Sequence, residues 1–253
     1  MTSRKSLDGR RLRWIFHESS KNFDLEEITN PGSTPEHWSE IDYKQYDAGT
    51  TIPLSSEVEL DESLQAAISG RRSPKLDAVE QCPVSIEDLS TVIGEAAGIT
   101  QYGETDDDHY RAYPSGGARY PLEVYITVLA GDDLAEGVYH YDVKDGCLTQ
   151  LRTDSAVADL DFFSRDIRDA VSVVVFVTAR MERTTRKYGE RGYRYANIEA
   201  GHLMQNVCLL AGARGLACRP YGGFIEDQAD SYLRLQNEPE TTLYIGLLGG
   251  ASV

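Results

Sequence analysis

Four short stretches of the chain bring together residue types that suit chemistry. In the first, Arg71, Arg72, Ser73 and Lys75 crowd one turn after a helix-like run that stops at Gly70. A guanidinium grips two oxygens at once and a hydroxyl donates a further bond, so this composition suits a phosphate. Two adjacent arginines on a surface turn are also commonly just solvated. The second stretch, Pro114-Ser115-Gly116-Gly117 with Arg119, feeds straight into the strand-like run LEVYITV. Glycines at such a turn let backbone N–H groups approach a flat ligand closely. The third, CRPYGGF, puts Gly222 and Gly223 just past another short strand. The fourth runs from Ala179 to Glu199 and is dense in Arg, with Lys187, Tyr188, Tyr193 and Tyr195 interspersed. It reads either as the exposed start of an amphipathic helix or as a functional turn, with Gly189 and Gly192 breaking the helix.

The elements that must position these residues become regular from Val58 onward. VELDESLQAAIS reads as a helix closed by Gly70. SIEDLSTVIGEAAG reads as a second, with Ser85 as N-cap, Asp88 completing a capping box and Gly98 as the stop. LEVYITVLA is a β-branched strand, and GVYHYDVKDGCLTQLR a hairpin turning at Lys144-Asp145-Gly146. AVSVVVFVTAR fits a buried central strand. NIEAGHLMQNVCLLAGARG is a long helix, apolar on most of its surface and closed by Gly215, which places it in a core or a subunit interface. A strand at CRPYGGF, a short helix at EDQADSYLRL and a last strand at TLYIGLLGG follow. This pattern indicates an α+β sheet rather than a doubly wound one. Residues 1–56 read as an extension packed on the main domain (57–253) and anchored by Trp14, Phe16, Trp38, Tyr43 and Tyr46.

Composition narrows the function. At 253 residues and 41% hydrophobic, the chain suits one α/β-sized domain with a real core. A formal charge of −16 argues against nucleic acid, which needs a basic face. No apolar run reaches membrane-spanning length, and the basic start has no apolar stretch behind it, so the reading is a cytoplasmic protein. The scattered Cys82, Cys147, Cys208 and Cys218 read as reduced structural thiols, with neither metal nor disulfide. The acid excess, with far more Arg than Lys, fits a high-salt cytoplasm or a GC-rich genome, and composition alone does not choose. His202 reads as an interface histidine and His140 as a strand residue without a role. Gln205 and Asn206, set in an apolar helix, must find partners, and bonds across helices in a dimer suit them.

Taken in order and spacing, the four stretches resemble the FMN-dependent nitroreductase superfamily. Within it the chain is similar to the SagB-type dehydrogenases, which oxidise thiazoline or oxazoline rings of ribosomally made peptides. RWIFHESSKN, YKQYDAGTTIPL, PSGGARYPLEVYITV followed by GVYHYD, and RKYGERGYRYANIEAGH carry the likeness. The resemblance implies a mostly antiparallel sheet flanked by helices in an intertwined homodimer, with FMN at the subunit interface. Carried over residue by residue, it implies that Arg71, Ser73 and Lys75 hold the FMN phosphate, with Arg72 in support. Pro114, Ser115, Gly116, Gly117 and Arg119 would line the pyrimidine edge and ribityl chain, and Gly222 and Gly223 the reactive face. Many nitroreductases also clamp the phosphate with a basic pair near the C-terminus. This chain ends GLLGGASV with no cation, which shifts that duty to Arg71, Arg119 or another arginine.

The resemblance also implies a catalytic role for Lys187 and Tyr188. Aromatising an azoline removes a hydride from one ring carbon, which flavin N5 can take, and a proton from its neighbour, which needs a base. Lysine is a base only when neutral, so its pKa must fall from about 10.4; desolvation and the cations Arg183, Arg186 and Arg191 would both push it down. The implied function is azoline dehydrogenation of a modified peptide, with dioxygen reoxidising the flavin. An NAD(P)H-dependent reductase on the same fold is the alternative, acting on a nitro group, an enone or a dehydroamino acid. A flavin-bearing scaffold for a cyclodehydratase complex is a third reading.

Overall fold

The computed structural model describes residues 9–21, 42–104, 109–153, 160–163, 167, 170–235 and 239–251. The architecture is α+β, with one large antiparallel sheet covered by helices on both faces. Thr51–Pro53 forms β1, Val79–Glu80 β2, Leu122–Val128 β5, Gly137–Asp142 β6 and Cys147–Arg152 β7. Val173–Arg180 forms β8, Ala217–Tyr221 β9 and Glu240–Ala251 β10. They lie in the order β1-β7-β6-β5-β8-β10-β2, with β9 also on β10 and every pairing antiparallel. A separate pair, β3 (Ile99–Tyr102) and β4 (His109–Arg111), stands beside it.

The run VVVFVTA of β8 is buried residue for residue, as a strand covered on both faces must be. Val173, Val175 and Val177 join one core with Leu203, Met204 and Val207. Val174 and Phe176 face the opposite core, among Phe162, Tyr232 and Leu233. The period-2 alternation of side chains thus divides one strand between two cores.

Six helices complete the described chain: α1 (Gly9–Ser19), α2 (Leu64–Gly70), α3 (Ile86–Leu89), α4 (Glu182–Tyr188), α5 (Arg191–Ala213) and α6 (Glu226–Tyr232). The Ser85–Asp88 capping box opens α3 as the sequence indicates. Helix α3 then widens into π turns over Ser90–Glu95, where the Ser90 and Thr91 hydroxyls donate to the Ile86 and Glu87 carbonyls and compete for the ladder. Helix α2 starts at Leu64 rather than Val58, because Ser63 takes the N-cap position and accepts the Ala66 N–H. Gly192 does not break a helix: it lies inside α5, where a Cβ would stand 2.8 Å from the Thr184 carbonyl carbon, so its lack of a side chain lets α5 seat on α4.

Helix α5 is not buried on every side within the chain. Ala196, Glu199, Ala200, Leu203, Met204, Val207, Cys208 and Ala211 face inward, while Ile198, His202 and Gln205 form an open stripe. Asn206 donates to the Ala96 and Ala112 carbonyls of its own chain, so it needs no bond across a dimer. Cys208 and Cys218 meet with sulfurs 3.4 Å apart as free thiols.

Of the aromatic anchors expected near the N-terminus, Tyr43 stacks on His109 and bonds its Nδ1, and Tyr46 meets the Tyr125 hydroxyl. Phe16 packs edge-on to Tyr193. Trp14 does not anchor: it is 59% exposed, and its ring meets the His17 ring of its own helix. Trp38 lies outside the described residues.

Candidate active site

The fourth and second stretches meet in space. Lys187 and Tyr188 end α4, and Gly189, at φ +54°, turns the chain into α5. A Cβ placed on Gly117 would lie 2.3 Å from the Tyr188 hydroxyl and 3.0 Å from Lys187 Nζ. The base candidate and the phenol therefore converge on the backbone of the Pro114–Gly117 turn. Glycine suits this position, both because those two side chains crowd it and because Gly117 sits in the left-handed region at φ +64°.

That turn is strained and heavily braced. Ala118 and Tyr120 also hold positive φ, at 53° and 43°, where a side chain is disfavoured. Such strain persists only where the surroundings over-determine it. Here the Tyr120 N–H donates to Ser115 Oγ, Arg119 Nε to the Gly117 carbonyl, and the Arg111 N–H to the Tyr120 hydroxyl. Arg183, one turn before Lys187 on α4, donates to the Tyr120 carbonyl and pairs with Glu123 at 2.6 Å. The bond to Tyr120 ties the helix carrying Lys187 to the end of the turn it faces, and the buried ion pair ties it to β5. Burial works to raise the Glu123 pKa, but Arg183, His140 and Arg111 outweigh it and bring it to about 2. His140, fully buried and 3.0 Å from Glu123, is part of this brace.

The three arginines expected to depress Lys187 are largely committed elsewhere. Arg183 pairs with Glu123, Arg186 with Glu182, and Arg191 donates to the Tyr195 hydroxyl and the Ser20 carbonyl.

Glu199 escaped the sequence reading. It lies on α5 one turn past Tyr195, is 3% exposed, and accepts the Gly116 N–H at 2.9 Å through Oε1. Its Oε2 is buried without a hydrogen-bond partner. Desolvation raises its pKa to about 6 against the pull of the Gly116 N–H, the Ser115 hydroxyl and Arg111. Burial, with Tyr195 and Glu199 nearby, also pushes the Tyr188 phenol up, Arg119 opposing. Tyr195 stands edge-on to Tyr188 at 5.0 Å. The cleft here is lined by Pro114, Ser115, Gly116, Tyr195, Glu199 and His202. A carboxylate inside an otherwise apolar helical run was the signal available for Glu199.

The first and third stretches form a second cluster. Lys75, Asp77, Arg219, Tyr221, Gly222 and Gly223 line one cleft, its two cations outnumbering the one carboxylate. Arg71 Nη1 donates to Ser73 Oγ, so those two side chains already act together. Arg72 instead turns back onto the Ser69 and Arg71 carbonyls. Arg219 is the cation the sequence left unassigned. It bonds the Pro74 carbonyl through Nη1, and its buried Nε has no partner. A buried, unsatisfied guanidinium N–H beside a lysine suits an anion, and the position of Gly222 is open, with no atom within 4 Å of where a Cβ would lie. These residues fit a flavin phosphate and an approaching flat ring. The clusters flank the two ends of one stretch of α5: Glu199 serves the turn, and Cys208, close enough to Arg71 to feel its charge, lies nine residues on. That is about 14 Å along a helix axis.

The nitroreductase family model matches residues 68–250, from the end of α2 to the last strand. The chain belongs to the nitroreductase family. As a member it is an oxidoreductase, and both clusters lie within or beside the matched segment. A nitroreductase-family protein of Methanocaldococcus jannaschii is 32% identical over 187 residues, covering 72% of this chain and 90% of that protein. The trifolitoxin-processing protein TfxB of Rhizobium leguminosarum bv. trifolii is 28% identical over 81% of this chain, and the microcin B17-processing protein McbC of Escherichia coli is 29% identical over 55%. This chain spans little more than half of either peptide-processing protein, 58% and 54% respectively. Among solved structures, the E. coli microcin synthetase McbBCD complex with truncated pro-MccB17 bound contains a chain that matches 96% of this one at TM-score 0.59 and 22% identity. A nitroreductase from Desulfovibrio desulfuricans in complex with FMN matches 76% at TM-score 0.50 and 18% identity. These two likenesses show the shared nitroreductase fold. No helix among the described residues is long and apolar enough to cross a membrane.

Proposed function

We propose that this nitroreductase-family oxidoreductase binds FMN and dehydrogenates thiazoline or oxazoline rings of a ribosomally made, modified peptide, with dioxygen as the final electron acceptor. The observation that carries the reading is the convergence of Lys187 Nζ and Tyr188 Oη on Gly117. A reductase fed by nicotinamide has less need of a base beside its substrate, whereas ring aromatisation releases a proton that a positioned group must accept. The likeness to TfxB and McbC, named for processing peptide natural products, supports a peptide substrate. The McbBCD match, to a synthetase complex with a peptide bound, is consistent with assembly into such a complex, whose partner here would be a cyclodehydratase.

FMN, when bound, supplies the two-electron acceptor. Arg71, Ser73, Lys75 and Arg219 would hold its phosphate, Gly222 and Gly223 would let it approach the backbone, and the Pro114–Gly117 turn with Arg119 would line the pyrimidine end. Lys187 takes the ring proton, and Tyr188 orients the ring or shares that proton. A second copy of the chain would complete the site, because Ile198 and His202, on the open face of α5, line the same cleft as the turn.

The test is incubation of the FMN-loaded protein with an azoline-containing peptide in air, followed by mass spectrometry. The reading expects loss of two hydrogens per ring, abolished by Lys187→Arg, because guanidinium stays protonated and cannot act as a base. A peptide of unchanged mass, or a Lys187→Arg variant with wild-type turnover, refutes it.

A further inference from the structure

Among the described residues, Glu199 is the buried carboxylate that touches the turn beneath Lys187 and Tyr188, and it has no place in the chemistry so far. Its Oε1 holds the Gly116 N–H, and a Cβ placed on Gly116 would lie 3.2 Å from the Tyr195 ring. The next residue, Gly117, is the one against which both catalytic candidates rest. A carboxylate oxygen with no partner inside a protein is costly, so a site that keeps one generally uses it.

We propose that Glu199 is a positioning residue for the Lys187–Tyr188 pair: its ionised carboxylate holds the Ser115–Gly117 turn in the conformation the pair requires, and reaction fails when the carboxylate takes a proton. This rests on the dehydrogenase reading above. The neighbours of Glu199 set the pH at which this happens. From the turn come the Gly116 N–H and the Ser115 hydroxyl, and from β4 the Arg111 guanidinium, all of which favour the ionised form. Tyr113 and Tyr188 are the phenols within its electrostatic reach. His202, on its own helix, lines the same cleft. Desolvation outweighs the favourable contacts and leaves the carboxyl titrating near pH 6. Protonation turns Oε2 into a donor and weakens Oε1 as an acceptor, which loosens the one side-chain bond on Gly116.

The experiment uses FMN-loaded wild type, Glu199→Gln and Glu199→Ala, with two readouts. The first is the rate at which an azoline peptide bleaches the flavin without oxygen, between about pH 5 and 8.5. Wild type loses rate below about pH 6, approaching tenfold per pH unit. Glu199→Gln, the uncharged isostere, is slower at pH 8 by about tenfold or more and keeps only the limb that protonation of Lys187 imposes, without the added loss below about pH 6. The second readout needs no peptide substrate: acylation of Lys187 by acetic anhydride, mapped by mass spectrometry against Lys144 at the hairpin tip. Glu199→Ala frees the turn and raises the Lys187-to-Lys144 ratio at least about threefold. If wild type never oxidises the peptide, the dehydrogenase reading falls, and the acylation ratio still decides on Glu199. A Glu199→Gln variant with wild-type rate and pH profile, or an unchanged acylation ratio in Glu199→Ala, overturns the proposal.

Discussion

The contact between Gly117 and the Lys187–Tyr188 pair is best probed by adding one methyl group. In Gly117→Ala the backbone must hold an L side chain at φ +64°, which costs about 1–2 kcal/mol. The new Cβ would also overlap the Tyr188 hydroxyl at 2.3 Å and crowd Lys187 Nζ at 3.0 Å. Tyr188 cannot retreat freely, because Tyr195 stands edge-on against it. For a domain of this size each kcal/mol is worth about 2–4 °C, so melting should fall by about 2–8 °C. The reaction should lose far more, since misplacing a catalytic group by about 1 Å costs on the order of 10²-fold. Gly146→Ala separates the two effects: it shares the left-handed backbone, at φ +61°, but no atom lies within 4 Å of its would-be Cβ. Thermal melts and anaerobic flavin-reduction rates on both variants give the answer. Gly146→Ala should lose stability and keep its rate, while Gly117→Ala loses both. A Gly117→Ala variant with the rate of Gly146→Ala would refute the placement of the pair on this turn.

Arg219→Met should weaken FMN binding at least about tenfold by fluorescence titration, with the fold retained, because its unsatisfied Nε is assigned to the phosphate. Glu123→Gln leaves Arg183 buried and unpaired, and should cost about 3–5 kcal/mol in denaturant unfolding. With its pKa drawn down from 4.5 to about 2, Glu123 lends wild type stability that is full above pH 4.5 and lost as pH falls toward 2; the variant should lack that slope. Glu199 acts in the opposite sense. Its pKa is raised from 4.5 to about 6, so the native state holds the extra proton and stability declines as pH rises through that window. Glu199→Gln should therefore melt higher than wild type at pH 8, by up to about 2 kcal/mol, and show no gain at pH 4.5.

Much of this was legible in the residues. Strand β8 announced itself through an unbroken β-branched run, and the hairpin turn at Lys144–Gly146 and the Ser85–Asp88 capping box fall where local chemistry puts them. These signals are local, so tertiary context had little to override. The π turns of α3 were not legible, because they depend on which way the Ser90 and Thr91 hydroxyls bond. The extent of α5 was misjudged at Gly192, where a glycine that reads as a breaker is instead a point of close helix contact. In the site, the Lys-Tyr pair and the Pro-Ser-Gly-Gly turn were each visible, but their contact bridges about seventy residues of sequence and exists only through the fold. Arg219 and Glu199 were hidden because their significance is an unsatisfied atom, a property of burial rather than of sequence.

The central claim is tested most directly by the visible spectrum of the FMN-reconstituted protein without oxygen, with an azoline peptide in one cell and NADPH in another. The account predicts that the peptide bleaches the flavin, that NADPH does not, and that admitting dioxygen restores the colour. Bleaching by NADPH with no response to the peptide would make this a reductase and contradict the account.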